Sequence, residues 1–211
     1  MNAGLTVVCM NANHALCATP EWADHIHREV LGSLLTELDL GDEMLEIGPG
    51  PGAATEWLRT RVRRLVAIEV DPEAAQRLAD RYNGSNVEVA TGDASHLDFA
   101  DESFDSVGTF TMLHHLPTLA TQNQVLKEAW RVLRPAGILV GSDSLASTHL
   151  HDFHNGDTYN PIEASSLIPR LQTIGFDHVM VSVGHDVRFV ARKPSGEHSH
   201  CAGDADSTPA P

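Results

Sequence analysis

Three features of the sequence predict a doubly wound α/β sheet, mostly parallel, with its last strand reversed. Short β-rich runs alternate with amphipathic helical stretches, a glycine-rich turn "GPGPG" directly follows the first run, and the final two runs stand too close together for a crossover. Parallel strands need long connections, and helices supply them while covering both faces of the sheet.

From Thr19-Pro20, a cap-like start, apolar residues at Trp22, Ile26, Val30 and Leu34, with Leu31, Leu35 and Leu38 alongside, predict one long N-terminal helix. The runs "MLEI", "LVAI", "VEV", "FDSVGTF" and "ILVG" predict five strands. Between them, Ala54, Trp57, Leu58 and Val62 share a helical face, as do Ala75, Leu78, Ala79 and Tyr82, and then Val125, Leu126, Ala129, Trp130 and Leu133. Beyond "ILVG" come a loop, a helix through Ala164, Leu167, Leu171 and Ile174 ended by Gly175, and the runs "VMVSV" and "VRFVA". A link of so few residues permits only an antiparallel pair, so the seven-stranded sheet closes with one reversed strand. Trp22, Trp57 and Trp130 sit on apolar stripes and read as core.

A chain of 211 residues with 42% hydrophobic content suits one domain, expected over residues 19–193. Residues 1–18 read as a flexible segment or a lid over the site, and 194–211, small, polar and proline-containing, as a disordered tail. Fourteen Lys plus Arg against 29 Asp plus Glu give a net charge of −15, which repels phosphates. A small basic or neutral molecule is therefore expected as partner, and nucleic acid is not. The opening stretch, with no Lys or Arg and a six-residue apolar run, offers neither a secretory core nor a membrane span, so a cytoplasmic location is expected. Cys9, Cys17 and Cys201 are too sparse for a disulfide framework and read as free thiols.

The chemistry concentrates after the first strand, in "MLEIGPGPGAAT". In a doubly wound sheet this turn lies where strand order reverses, the place where ligands bind, and positions without side chains let a ligand reach the main chain. Gly48, Gly50 and Ala53 also fit a dinucleotide fingerprint, with Glu69 as the acid that would accept from a ribose. Charge separates the two readings. Glu46 would sit beside a pyrophosphate with no nearby Lys or Arg, and at ~4 Å and an effective dielectric of ~20 each charge pair would cost on the order of 4 kcal/mol. A sulfonium and an ammonium group, as in S-adenosylmethionine, would instead be attracted. Downstream, "LVAIEVDP" ends a strand in Glu69, whose carboxylate can accept from both ribose hydroxyls, and "TGDASHLDF" offers Asp93-Ala94 for an adenine.

With "DESFDSVGTFTMLHHL" and "EAWRVLRPAGILVGSDS" following in order, the chain from about Glu43 to Arg192 resembles the class I S-adenosylmethionine-dependent methyltransferases, close to the small-molecule enzymes of the ubiquinone/menaquinone-biosynthesis type (methyltransferase type 11). The resemblance implies a Rossmann-like seven-stranded sheet with the last strand antiparallel. It also implies methyl transfer from S-adenosyl-L-methionine to a small acceptor. Glu46, Gly48, Pro49, Gly50 and Gly52 would hold the methionine end, Glu69 and Val70 the ribose, Asp93 and Ala94 the adenine, and Thr111 would offer backbone to the methionine portion. Ala136 departs from the glycine more usual in this family's "RPGG" turn.

In-line displacement at a sulfonium methyl needs alignment and a dry site more than a base. Should a base act, the candidates are His114, His115, Asp143 and His154, with His149, His151 and Asp157 nearby. "HLHDFH" offers three imidazoles at metal-like spacing, yet with no helix to hold that spacing it reads as a solvated, mobile loop, and no metal is expected. Each acid also has a plainer role, Glu46 as a partner of nearby backbone N–H groups and Glu69 and Asp93 as solvated strand-end residues. Two competing functions stand beside methyl transfer: an NAD(P)-dependent oxidoreductase, and a non-catalytic cofactor-binding or partner-binding domain. The oligomeric state is not legible.

Overall fold

In the computed structural model, which describes residues 11–196, seven strands form one sheet. They are β1 (Glu43–Ile47), β2 (Arg64–Glu69), β3 (Val87–Thr91), β4 (Phe104–Phe110), β5 (Leu133–Ser144), β6 (Asp177–Val183) and β7 (Asp186–Arg192), in the order β3-β2-β1-β4-β5-β7-β6. Pairs among the first five are parallel, and β7 runs antiparallel to both of its neighbours. Only Gly184 and His185 separate β6 from β7, which forces that reversal.

Alternation along β1 distributes the core. Leu45 and Ile47 pack on the face covered by α5 (Leu119–Val132) and α7 (Ala164–Ile174), whereas Met44 packs on the opposite face. That second face is covered by α3 (Ala53–Leu58), α4 (Pro72–Arg81) and the N-terminal helices. Local chemistry sets the helix ends. Asp71 accepts from the N–H groups of Glu73 and Ala74 ahead of Pro72, Thr118 accepts from Thr121, and Gly175 closes α7 at φ 119°.

The structure differs from the sequence reading in three places. The long N-terminal helix is three pieces: α1 (Pro20–His25), capped by Thr19, a π-helical stretch (Ile26–Leu31), and α2 (Gly32–Leu35). The wider turn coincides with His27 Nε2 meeting the Ala53 carbonyl at 2.7 Å, while Ile26, Val30, Leu31 and Leu35 keep the expected buried stripe. "HLHDFH" is not a loop but belongs to α6 (Thr148–Phe153) and the residue closing it, with the Ser147 hydroxyl capping the Leu150 N–H. Its mostly exposed, polar face gave no apolar period to read. Trp22, Trp57 and Trp130 are half-buried at the rim of the core rather than inside it.

Residues Ala12–Ala18 form a 3-10 helix, and the amides of Asn11 and Asn13 donate to the Phe153 carbonyl at 2.7 and 2.6 Å. The expected disordered tail lies outside the described residues from 197 onward, as do the first ten residues. Among the described residues no helix is long and apolar enough to cross a membrane.

Ala136, where the turn before the main part of β5 departs from glycine, has φ 64°, a region disfavoured for side chains. Ala136→Gly is expected to raise stability by roughly 0.5–1 kcal/mol, the relieved strain exceeding the added freedom of the unfolded chain. Urea denaturation measures this, and an unchanged or lowered midpoint contradicts it.

Candidate active site

The crossovers from β1 and β4 leave the sheet on opposite sides, and a cleft of about 290 Å³ opens beyond the carboxyl ends of these central strands. The glycine turn forms its floor. Gly48 (φ 68°) has no room for a Cβ, which would collide with the Met112 side chain. Gly50 (φ 52°) faces open space, so bare main chain is presented to the cleft.

Glu46 is the most constrained group of the site. It is 2% exposed and accepts a 2.7 Å hydrogen bond from the Thr55 hydroxyl of α3, so its partner is a side chain rather than backbone N–H. Burial, and secondarily the charge of Glu69, push its carboxyl up to about 7, with the Thr55 bond pulling the other way. Glu69 is a buried strand-end acid rather than a solvated one, accepting from the N–H groups of Gly50, Val70 and Asp71 at 3.2, 2.8 and 3.1 Å. Those bonds pin the glycine turn to the end of β2. Asp93 is exposed and accepts from the Ser95 N–H at 2.8 Å. At the end of β4, Thr111 is held at φ 52° with its N–H donating to the Ser142 carbonyl, a strained conformation for a β-branched residue.

Every residue expected to hold the cofactor lines this cleft except Gly52, which instead precedes the first turn of α3. No Lys or Arg is among the described lining residues. The far wall is apolar, built from Trp22, Ile26, Phe110, Met112, Leu116 and Pro117, and none of these was singled out as a site residue from sequence. They come from two separated segments, the N-terminal helix and the end of β4 with the turn after it, and only their meeting in space marks them.

The base candidates gather on one side of the cleft. His114 Nδ1 donates to Asp143 Oδ1 at 2.6 Å, and Asp143, fully buried on β5, also accepts from the backbone N–H groups of His114 and Ser144. That carboxylate ties the turn after β4 to β5. His115 lines the cleft, whereas His114, Asp143 and His154 stand behind it. Burial first, then the neighbouring His114, His14 and His154, lower His115 to about 2, so it is neutral. Burial likewise lowers His154. His149 and His151 are exposed on α6, away from the cleft, and Asp157 accepts from His14 at 2.7 Å. His14 and Cys17, from the N-terminal 3-10 helix, also line the cleft.

The doubly wound sheet with a cleft beyond its strand ends is the arrangement in which such folds bind ligands, and comparisons with known proteins narrow the reading. Residues 45–141 match a family model described as "Methyltransferase domain". A protein of Mycolicibacterium smegmatis named "Probable S-adenosylmethionine-dependent methyltransferase" is 29% identical over 71% of this chain and 57% of its own length. One from Methanosarcina mazei named "Probable ribosomal RNA small subunit methyltransferase A" is 34% identical over 48% of this chain and 41% of its own. Among solved structures, an S-adenosylmethionine-dependent methyltransferase of Methanosarcina mazei superposes with a TM-score of 0.62 at 22% identity, covering 74% of this chain and 94% of that one. Residues 45–141 match the methyltransferase domain family, and the named relatives and the shared fold support reading the chain as a class I S-adenosylmethionine-dependent methyltransferase. It spans about half the length of the two curated relatives named above.

One expectation is overturned. Nucleic acid was excluded as a partner on net charge, yet several relatives are named ribosomal RNA small subunit methyltransferases. The physical reason is that net charge sums over the whole chain, while recognition depends on the local surface that meets the acceptor.

Glu46 makes the free protein's stability depend on pH. Its folded carboxyl holds a proton up to about 7 against an ordinary value of 4.5, so this group disfavours folding progressively as pH rises between those values, by on the order of 3 kcal/mol above 7. Glu46→Gln is expected to be more stable than wild type at pH 8, by up to that amount, and to lose its advantage toward pH 4. Denaturant melts at both pH values measure the difference, and an advantage that does not shrink on acidification contradicts the assignment.

Proposed function

We propose that this chain moves the methyl group of S-adenosyl-L-methionine to a small, neutral or apolar acceptor seated against the far wall of the cleft. The observation that carries the reading is that Glu46, Glu69 and Asp93 line one cleft together with bare glycine backbone and no described Lys or Arg. Such a lining suits a ligand with cationic and hydroxyl groups and disfavours a pyrophosphate, which sets the dinucleotide reading aside. When bound, the cofactor supplies a methyl on a positively charged sulfur.

The protein's part is positioning. Glu46 is suited to the ammonium end, since an incoming cation favours the ionised carboxylate that burial otherwise suppresses. Glu69, already anchored by three backbone N–H groups, keeps acceptor capacity for two ribose hydroxyls. Asp93 and the Ala94 backbone are offered to the adenine edge. The apolar residues Phe110, Met112 and Leu116 exclude water from the line of transfer. A second reading, an RNA acceptor, is favoured by the ribosomal RNA names among the relatives.

Calorimetric titration with S-adenosylhomocysteine tests the cofactor. Micromolar binding is expected for the full chain, weakened at least tenfold in Glu69→Ala or Asp93→Ala, and no heat in wild type removes the reading. Affinity is expected to fall about tenfold per unit below pH 7, because Glu46 must lose its proton, with Glu46→Gln flattening that slope. Labelled-methyl assays on fractionated small metabolites and, in parallel, on RNA test the acceptor. Label confined to RNA overturns the small acceptor and leaves methyl transfer standing.

A further inference from the structure

We propose that His14, His115 and His154 form a three-imidazole site for a divalent transition-metal ion of the zinc type, with its open position toward the cleft. The three side chains come from the N-terminal 3-10 helix, the turn after β4 and the residue closing α6, and each offers a ring nitrogen within 4.8 Å of the others. Their ring centroids make a nearly equilateral triangle of 5.0, 5.2 and 5.2 Å. For tetrahedral coordination at ~2.05 Å, with each centroid roughly 1.1 Å beyond its nitrogen, the expected centroid spacing is about 5.2 Å.

The hydrogen bonds agree on which nitrogens are free. His154 gives Nδ1 to the Leu150 carbonyl at 2.7 Å and leaves a buried Nε2 without a partner. His115 leaves a buried Nδ1 without a partner. His14 gives Nε2 to Asp157 at 2.7 Å, leaving Nδ1. His115 and His154 are 8% and 3% exposed, and the Asp157 side chain is fully buried. Imidazoles that ligate a metal characteristically donate their second N–H to a carboxylate or carbonyl, which fixes tautomer and ring orientation, as His14 and His154 do here. One short segment, His154 to Asp157, supplies a ligand and the carboxylate that orients His14.

Three protein ligands with a vacant fourth position are the pattern of sites that bind a reacting group rather than merely brace a fold. His14 and His115 line the cleft, so the vacant position faces the acceptor side. There an ion would hold an acceptor's hydroxyl or thiol. That assignment of the ligand rests on the methyltransferase reading, whereas the metal site itself does not.

The test is metal content and spectroscopy on the full chain. Wild type dialysed against zinc(II) is expected to retain one equivalent, and with cobalt(II) to show the visible absorption of a tetrahedral site. His154→Ala and His115→Gln should each weaken zinc(II) binding at least 100-fold and abolish that absorption, while His151→Ala on the exposed face of α6 should change neither. Circular dichroism and S-adenosylhomocysteine affinity, expected within threefold of wild type in His154→Ala, report folding. Equal metal retention in wild type and His154→Ala, or binding lost only on changing His198 and His200, overturns the site. If neither variant folds, wild type that retains no zinc(II) and gives only octahedral cobalt(II) spectra overturns it as well. Absence of S-adenosylhomocysteine binding in wild type with intact metal binding would sink the methyltransferase reading alone.

Discussion

Burying a carboxyl at the end of a central strand, with a second carboxyl across the turn and no described cation lining the same cleft, leaves the protein with an electrostatic deficit. Glu46 is held at 2% exposure by the packing of β1 against α3, and its hydroxyl partner, Thr55, does not offset the loss of water. The deficit sits at the cleft, where the proposed cationic cofactor would remove it. The glycine turn carries bare main chain past the carboxyl, and Glu69 fastens that turn to β2 through the Gly50 N–H. Strain at Thr111 completes the rim. On the proposed function, binding of the cofactor reverses this destabilisation, a trade between stability and function.

The histidine side of the cleft follows a different logic. There the N-terminal 3-10 helix is joined to the α6 region, more than 100 residues further along the chain, by the Asn11, Asn13 and His14 side chains. Polar side chains there are buried with partners chosen one nitrogen at a time. The Asp143–His114 pair anchors the turn after β4, and His115, set on that turn, is turned to the cleft. Burial that disfavours the protonated imidazole leaves His115 a weak proton acceptor, which suits the proposed transfer by alignment rather than proton removal.

How much was legible varies with the range of the interaction. All seven strands and the reversed last one were legible, because apolar runs, helical periods and the length of each link are local properties of the chain. The places of Glu46, Glu69 and Asp93 near the carboxyl ends of β1, β2 and β3 were legible too, since the topology brings those strand ends together. The α6 helix was not, because two turns with an exposed polar face carry no apolar period. Nor was the π-helical stretch, which arises where His27 meets the backbone of α3.

What the amino-acid order determined by itself is the sheet, its switch point and the acids that ring it, because the physical signals for them span a few residues at a time. What only the tertiary structure decided is the ionisation of Glu46 and the meeting of His14, His115 and His154. Both depend on burial and on distances between segments remote in the chain, and neither quantity exists until the segments pack.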